Sequence, residues 1–465
     1  MRIKKMIKIR EEKTMVKLKN EEKNKNVIWI FGDQHRGQAL SCNGDPNVNT
    51  PNLDIMSAGG VNFTSAVSGF PLSCPFRGSL LTGKYPHQCV PGHEYQLSPE
   101  MPTIATIFNQ EGYHTAYFGK WHLDGFKEAE GRAAKHYIPP ERRGDFQDWI
   151  GYENNNSQWD CWVHGEKDGK EIEPYRLPGY ETDELTNLLI DYIKEQGNQD
   201  EKQPFFAALS VQPPHNPYAA PAEFMENYNM NDLELRENVP DVDRIQKKAR
   251  RELAGACAQI ENLDWNIGRI RKALQKAGLE KDTHIIFFSD HGDMHGSHGQ
   301  FRKTTAYQES ISIPFIISGA QSRYEGWKTG RVNPPLNSVD IAPTTLGLCG
   351  IDQPEWMEGT DYSHYRIEKD SESIDNEPDS ALLQSVIPTG HGDSVNRRWR
   401  GILTRNGWKY ATFKHTPWLM FNLNEDPYEQ TNLVHNNAFA DKRKELQDKL
   451  KSKLTNVGDD FPVSE

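Results

Sequence analysis

Five short loop segments of this 465-residue chain carry side chains whose types and spacing suit chemistry on an anion. Asp33-Gln34 directly follows an apolar run. Ser73-Cys74-Pro75-Phe76-Arg77 offers a hydroxyl and, four residues on, a guanidinium. Gly119-Lys120-Trp121-His122 and Pro213-Pro214-His215-Asn216-Pro217 add an ammonium and two imidazoles. Ser289-Asp290-His291-Gly292-Asp293 supplies a second oxygen-rich pair, with Lys303 in the following loop. Singly, each has a plain reading. Asp-Gln after a strand makes a turn or a cap, Asp-His-Gly-Asp a solvated turn, and a histidine between prolines a packed loop residue. Together they make a different set. Two strand ends with carboxylate, amide and imidazole groups suit a divalent cation. Arg77, Lys120 and Lys303, with two histidines, could surround a tetrahedral oxyanion beside it.

The elements that must position these segments follow from hydrophobic patterning. Val27-Ile28-Trp29-Ile30-Phe31, closed by Gly32-Asp33, fits a buried strand of a parallel sheet. Residues 61–64, 115–118, 205–211 and 284–288 are further strand candidates, most of them followed by a polar, Gly- or Pro-containing loop. Helical patterns fall between them at 103–110, 183–195 and 242–277, and Thr50-Pro51 marks a helix start that Gly59-Gly60 stops. Within the longest, Leu263, Ile267, Ile270 and Leu274 form a core-facing stripe. Alternating strands and helices predict an α/β domain with a large central, mostly parallel sheet flanked by helices. Ligands of such sheets gather at the carboxyl ends of the strands, where the polar segments fall.

The stretch from Gly359 to Ser380 is acidic and poorly periodic, which marks a boundary. Beyond it, 400–404, 408–413 and 418–423 read as strands and 439–454 as an amphipathic helix: a small C-terminal α+β subdomain with an antiparallel sheet. The expected division is a flexible basic leader at 1–25, a catalytic domain at 26–366 and the C-terminal subdomain at 367–465.

Composition narrows the partners. Lys+Arg 54 against Asp+Glu 66 gives a net charge of −12, a poor general match for nucleic acid, so anion affinity must be local. Six scattered cysteines without a CxxC spacing read as reduced thiols rather than a zinc knuckle or disulfide scaffold. No apolar run approaches the roughly 18 residues of a membrane span, so no membrane partner is expected. The first 26 residues hold ten Lys/Arg and four Glu without an apolar core, unlike a signal peptide. The expected localisation is cytoplasmic, and Met15 is an alternative start.

Several of these segments together resemble the type I sulfatases of the alkaline-phosphatase-like superfamily. Ser73-x-Pro75-x-Arg77 followed by Leu80-Leu81-Thr82-Gly83-Lys84-Tyr85-Pro86-His87 is similar to the family signature. So, in the family's order, are Thr50-Pro51-Asn52-Leu53-Asp54, Gly60-Val61-x-Phe63-Thr64, Gly112-Tyr113-His114-Thr115-Ala116, Gly119-Lys120-Trp121-His122, Asp290-His291-Gly292-Asp293 and Asn424-Glu425-Asp426-Pro427. The resemblance spans most of the chain, apart from the leader and roughly 368–397.

It implies an alkaline-phosphatase-like sandwich that hydrolyses sulfate monoesters, most naturally on a sulfated sugar. It implies a formylglycine (3-oxoalanine) made from Ser73 by a serine-type maturase, with Cys74 a small packed neighbour. It implies one divalent metal held by Asp33, Gln34, Ser73, Asp290 and His291. Ca²⁺ is the expected ion, and the departures from the usual carboxylate-rich pairs at Gln34 and His291 leave Mn²⁺ or Mg²⁺ open. Arg77 would steady the formylglycine hydrate, and Lys120 and Lys303 would bind sulfate oxygens. Lys303 or His215 would assist the leaving alkoxide, and His122 would accept a proton as sulfate leaves. Asp-Gln and Asp-His pairs are also familiar from phosphonate monoester and phosphodiester hydrolases resembling sulfatases, the in-class alternative. A non-catalytic sulfated-glycan binder is the alternative from another class. Outer substrate contacts are expected from His93, from Trp162 and His164 in the aromatic segment 159–164, and from Arg400 at the end of 391–400.

Overall fold

The computed structural model describes residues 25–319, 327–368, 377–390, 392 and 395–463. The basic leader apart from Lys25, and His391, lie outside the described residues. The apolar runs become a ten-stranded sheet. In chain order its strands are β1 (Asn26–Gly32), β2 (Val61–Phe63), β3 (His114–Lys120), β4 (Asp148–Tyr152), β5 (Trp162–Lys167), β6 (Lys170–Arg176), β7 (Phe205–Ser210), β8 (Thr283–Ser289), β9 (Phe315–Gly319) and β10 (Gly330–Val332). They lie side by side as β10-β2-β9-β8-β1-β7-β3-β4-β5-β6. The central block β8-β1-β7-β3-β4 is parallel, whereas β9 against β8 and β2, and β5 against β4 and β6, are antiparallel. The expected mostly parallel central sheet is thus present, with antiparallel strands toward both margins.

The helices are α1 (Pro51–Ala58), α2 (Ser73–Thr82), α3 (Ile104–Gln110), α4 (Glu181–Gly197), α5 (Asp243–Lys276), α6 (Ile341–Leu348) and α7 (Ala440–Asn456), besides shorter turns. Strand pleating assigns them to faces. Val27, Trp29 and Phe31 of β1 pack with Phe76 and Leu80 of α2, Phe108 of α3 and Leu346 of α6. Ile28 and Ile30 face the other way, onto Leu189 and Ile193 of α4 and the Leu263, Ile267, Ile270, Leu274 stripe of α5. Both faces of the central strands are thus covered, which is why β1 reads as a continuous apolar run. At the start of α1, Thr50 does not cap with its side chain, because its hydroxyl pairs with Ser41. Asp264 of α5 takes that role instead, accepting from the amides of Asn52 and Leu53 at 3.1 and 2.8 Å.

The C-terminal sheet runs β11 (Ser380–Ser385), β12 (Trp399–Thr404), β13 (Trp408–Phe413) and β14 (Thr416–Asn422), antiparallel throughout. Leu446, Leu450 and Leu454 of α7 cover one face, against Leu382, Ile402, Tyr410 and Met420. The other face carries Leu383, Trp399, Leu403 and Phe421 onto Val67, Ala306 and Ile311 of the main unit. A buried ionic cluster stitches this contact. Lys409 pairs with Glu429 and donates to Ala306 O at 2.5 Å, while Glu429 accepts from the Gln308 amide at 2.7 Å.

Arg400 belongs to the same subdomain and corrects one expectation. It is buried on β12, with Nε and Nη2 bonded to Asp459 at 2.5 and 3.1 Å and Nη1 to Ser385 O at 2.9 Å. Every arm of the guanidinium is engaged in holding the tail, so it serves stability rather than substrate. Removing one partner of a buried pair leaves the other charge uncompensated. Arg400→Met should therefore cost about 3–5 kcal/mol in denaturant unfolding, with kcat/KM of the still-folded enzyme unaltered.

Candidate active site

The central parallel strands end on one edge, and the five polar segments emerge there together. β1 runs into Asp33-Gln34, β8 into Asp290-His291, β3 ends at Lys120 with His122 two residues on, and β7 leads to His215. The Ser73 segment differs from the loop its polarity suggested: it is helix α2, with Ser73 as its first residue and all ten residues buried. Pro75 is tolerated because it lies in the first turn, where amides have no helical partner. Helical spacing then puts Ser73 and Arg77 on one face, a turn apart. Gly119 lets β3 pass close to β7: it has φ +108°, and a Cβ there would lie 1.9 Å from Ser210 O.

The convergence is tight and dry. Asp33, Gln34, Ser73, Arg77, Lys120, His122, Asp290, His291 and Lys303 are each at most 5% exposed. Ser73 Oγ donates to Asp33 Oδ2 at 2.9 Å and lies 3.2 Å from His291 Nε2. Lys120 Nζ is 2.6 Å from the same Asp33 oxygen. Arg77 Nη2 lies 3.5 and 3.6 Å from Asp33 and Asp290, and its Nη1 is anchored on Lys120 O and Ser210 Oγ at 2.9 and 2.7 Å. Lys303 Nζ sits 3.0 Å from His215 Nε2.

The donor set fits a divalent cation. Asp33 Oδ1, Gln34 Oε1 and Asp290 Oδ2 are buried without a hydrogen-bond partner among the described residues. Each such orphan costs about 1–3 kcal/mol, which a cation between them would offset. His291 Nε2 lies 3.5 and 3.6 Å from Asp33 Oδ1 and Asp290 Oδ1. Its Nδ1 is 3.0 Å from Gly292 O, so Nδ1 donates and Nε2 presents its lone pair. Burial, aided by Lys303, pushes the His291 pKa down to about 3, so the ring is neutral, as a ligand must be. Burial and then the neighbouring Asp33 push Asp290 up to about 7. Asp33 goes the other way: burial works to raise it, but Lys120 and Lys303 with His215 and His291 hold it well below the usual range.

Sequence reading assigned no role to Asp293 or Tyr218, yet they orient Gln34. Gln34 Nε2 donates to Asp293 Oδ2 at 2.6 Å and to Tyr218 OH at 3.1 Å, which fixes the amide so that Oε1 is the end left for a cation. The signal for Asp293 was its place in Asp-His-Gly-Asp, whereas Tyr218 is the residue just after the Pro213–Pro217 segment. Partners that orient ligands typically govern metal affinity by about 10–100-fold. Asp293→Ala should weaken binding of the divalent ion within that range in a calorimetric titration.

The cluster opens into a cavity of about 260 Å³. Ser73, Lys120, His122, His215 and Lys303 line it together with His93, whose ring stands edge-on to His122 at 5.6 Å. Of the four expected outer contacts, His93 is thus at the cavity. Trp162 and His164 are not, because residues 162–167 form a strand of the sheet margin. His164 is buried, accepting from the Ile138 amide at 2.8 Å beside Trp149, and half-buried Trp162 donates to Asp160 under the Lys135 ammonium. Cys74 is fully buried, and burial pushes its thiol up to about 12, so it is an inert packing group.

A helix-borne hydroxyl, hard-cation donors and buried cations at the carboxyl edge of an α/β sheet define a metal-assisted hydrolase of the alkaline-phosphatase-like type. The family described as "Sulfatase" matches residues 25–351, and "N-sulphoglucosamine sulphohydrolase, C-terminal" matches residues 296–457. The chain belongs to the sulfatase family. It is 36% identical over 455 residues to an ulvan-active sulfatase of Formosa agariphila, covering 96% of this chain and 84% of that one. It is 31% identical to an endo-4-O-sulfatase of Bacteroides thetaiotaomicron, over 91% of this chain and 90% of that one. A solved sulfatase structure from Bacteroides fragilis superposes with a TM-score of 0.81 at 26% identity, covering 94% of this chain and 97% of that one. Sulfatases generally use formylglycine and a divalent metal.

Proposed function

We propose that this sulfatase removes sulfate from a sulfated carbohydrate, using formylglycine made from Ser73 by a serine-type maturase and one divalent ion on Asp33, Gln34, Asp290, His291 and the modified Ser73. The observation that carries this reading is Ser73 Oγ, held between Asp33 and His291 on the cavity floor with Lys120 beside it. The names of the relatives, an ulvan-active sulfatase and an endo-4-O-sulfatase, support the sugar. Ca²⁺ is the proposed ion, with Mn²⁺ or Mg²⁺ as alternatives because one ligand is a nitrogen. The bound ion would neutralise the ester oxygens and the nucleophile together.

The remaining steps belong to the chain's own residues. Lys120 and Lys303 hold negative charge where it builds on the transferred group, while Arg77, anchored on Lys120 O and Ser210 Oγ, steadies the nucleophile derived from Ser73. Lys303 protonates the departing ester oxygen. His215 is the relay behind it: its Nδ1 donates to Asn216 O at 2.7 Å, so Nε2 is the acceptor facing Lys303. Burial, then the Lys303 charge, hold His215 well below the usual imidazole range, so the proton resides on the lysine. His122 is neutral for the same kind of reason, burial first and Lys120 next, and its Nδ1 has no partner among the described residues. It is the base that takes a proton as sulfate leaves.

Two measurements test this. The tryptic peptide 37–77 of protein from the native host should weigh two hydrogens less than its sequence, with the loss at Ser73; an unmodified Ser73 in fully active enzyme would sink the nucleophile assignment. Sulfate monoesters should be turned over faster than phosphodiesters and phosphonate monoesters under one set of conditions. The reverse order would replace the sulfatase reaction by its in-class alternative.

A further inference from the structure

Beside the catalytic cavity lies a second one of about 370 Å³, and the two share Glu128, Asn154 and Asn156 as a common wall. The junction is built rather than incidental. Asn154 is 6% exposed; its Nδ2 donates to Glu128 Oε1, and its Oδ1 is buried without a partner among the described residues. Glu128 thus fixes the amide so that a carbonyl oxygen is left seeking a donor at the boundary of the two cavities. An unmatched buried acceptor is costly, and a ligand hydroxyl is the group that would relieve it.

The chemistry of the second cavity is that of amides and hydroxyls. Asn155 is pinned by donating to Ser157 O at 2.8 Å. Arg132, the cation on its wall, is neutralised: Nη1 pairs with Asp160 Oδ2 and Nη2 donates to Asp160 O. Glu128 adds a carboxylate that no cation of this cavity matches. Such a lining accepts hydroxyl donors and disfavours a further sulfate or carboxylate, in contrast to the cation-rich catalytic cavity.

Resting on the sulfate-ester reading of that cavity, we propose that the second one is a subsite for an uncharged, hydroxyl-bearing sugar ring linked glycosidically to the sulfated one. The enzyme then acts on chains of at least two sugars, reading the neighbour as well as the sulfate. Discrimination at such a subsite is worth about tenfold or more in kcat/KM.

The test uses the matured holoenzyme, an aryl sulfate too short to reach the subsite, a monosaccharide sulfate, and that monosaccharide extended on either side by a neutral sugar or by a uronic acid. One neutral disaccharide should exceed the monosaccharide by about tenfold in kcat/KM, through KM, with the uronate-bearing version below it. Ser157→Trp fills the second cavity alone, and should collapse the disaccharide-to-monosaccharide ratio to about one. Equal constants for all sugars, a preference for the uronate, or an unchanged ratio in Ser157→Trp would each overturn the subsite. Loss of hydrolysis on every sulfate ester, the aryl sulfate included, would instead overturn the sulfatase reading beneath it, and the subsite with it.

Discussion

Ser73→Ala is expected to fold like the parent chain and to lose about 10⁴-fold or more in kcat. The fold survives because Ser73 Oγ hydrogen-bonds only Asp33 and His291 among the described residues, and Asp33 keeps Lys120 at 2.6 Å. Alanine is also the best helix former, so the first turn of α2 loses nothing in propensity. Turnover does not survive, because among the described residues no other hydroxyl or thiol lines the cavity. Cys74→Ala is the control: its buried thiol lies 3.9 Å from His93 Nδ1 and outside the cavity lining, and its loss should cost stability alone. Circular dichroism with steady-state kinetics on a sulfated sugar separates the two outcomes. Retained activity in Ser73→Ala, or its loss in Cys74→Ala, would mean that the nucleophile is one residue away.

Lys303→Ala should show a defect that depends on the leaving group. A proton donor matters in proportion to the basicity of the oxygen it protonates, and general acid catalysis is worth about 10²–10⁴-fold. A sugar alkoxide needs that proton, whereas a nitrophenolate leaves without it. The expected loss is therefore about 10³-fold on a sugar sulfate and about tenfold or less on 4-nitrophenyl sulfate. Burial lowers the Lys303 pKa against the pull of Asp33, which makes the ammonium a stronger acid than a surface lysine. His215→Ala should reproduce the trend more weakly, since His215 meets Lys303 through a single 3.0 Å contact. Equal losses on both esters would assign Lys303 to sulfate binding rather than to proton transfer.

The catalytic edge was legible in the sequence because parallel strands put chemistry immediately after apolar runs. Asp33 follows β1, Asp290 follows β8, and Lys120 closes β3, so patterning alone places them together. Helix α5 was legible within a residue at each end, since its apolar stripe repeats over many turns. Local polarity misled in three places. The Ser73 segment looked like a loop, but tertiary burial of all ten residues outweighs its weak helical pattern. Residues 159–164 looked like an aromatic loop, but 162–176 form a two-stranded margin whose outer strand is mostly exposed and therefore carries no apolar alternation. Arg400 was expected to contact substrate, but its partner Asp459 lies 59 residues away, a pairing that no short window can reveal. The same limit hid Tyr218 behind Gln34 and Asn154 beside Glu128, residues brought together only by the packed strand ends.

The Lys409–Glu429 pair has a consequence for how the molecule fails. It grips Ala306 and Gln308, a few residues beyond Lys303, from a sheet that contributes nothing to the reacting atoms. The tail is therefore a splint for the loop that carries Lys303. A fluctuation that lifts the small sheet would slacken the Lys303 loop while Asp33, Asp290 and Ser73 keep their places on the large one. With the roles proposed above, such a molecule would still bind a divalent ion and an anion, but would be slow to let the alcohol go.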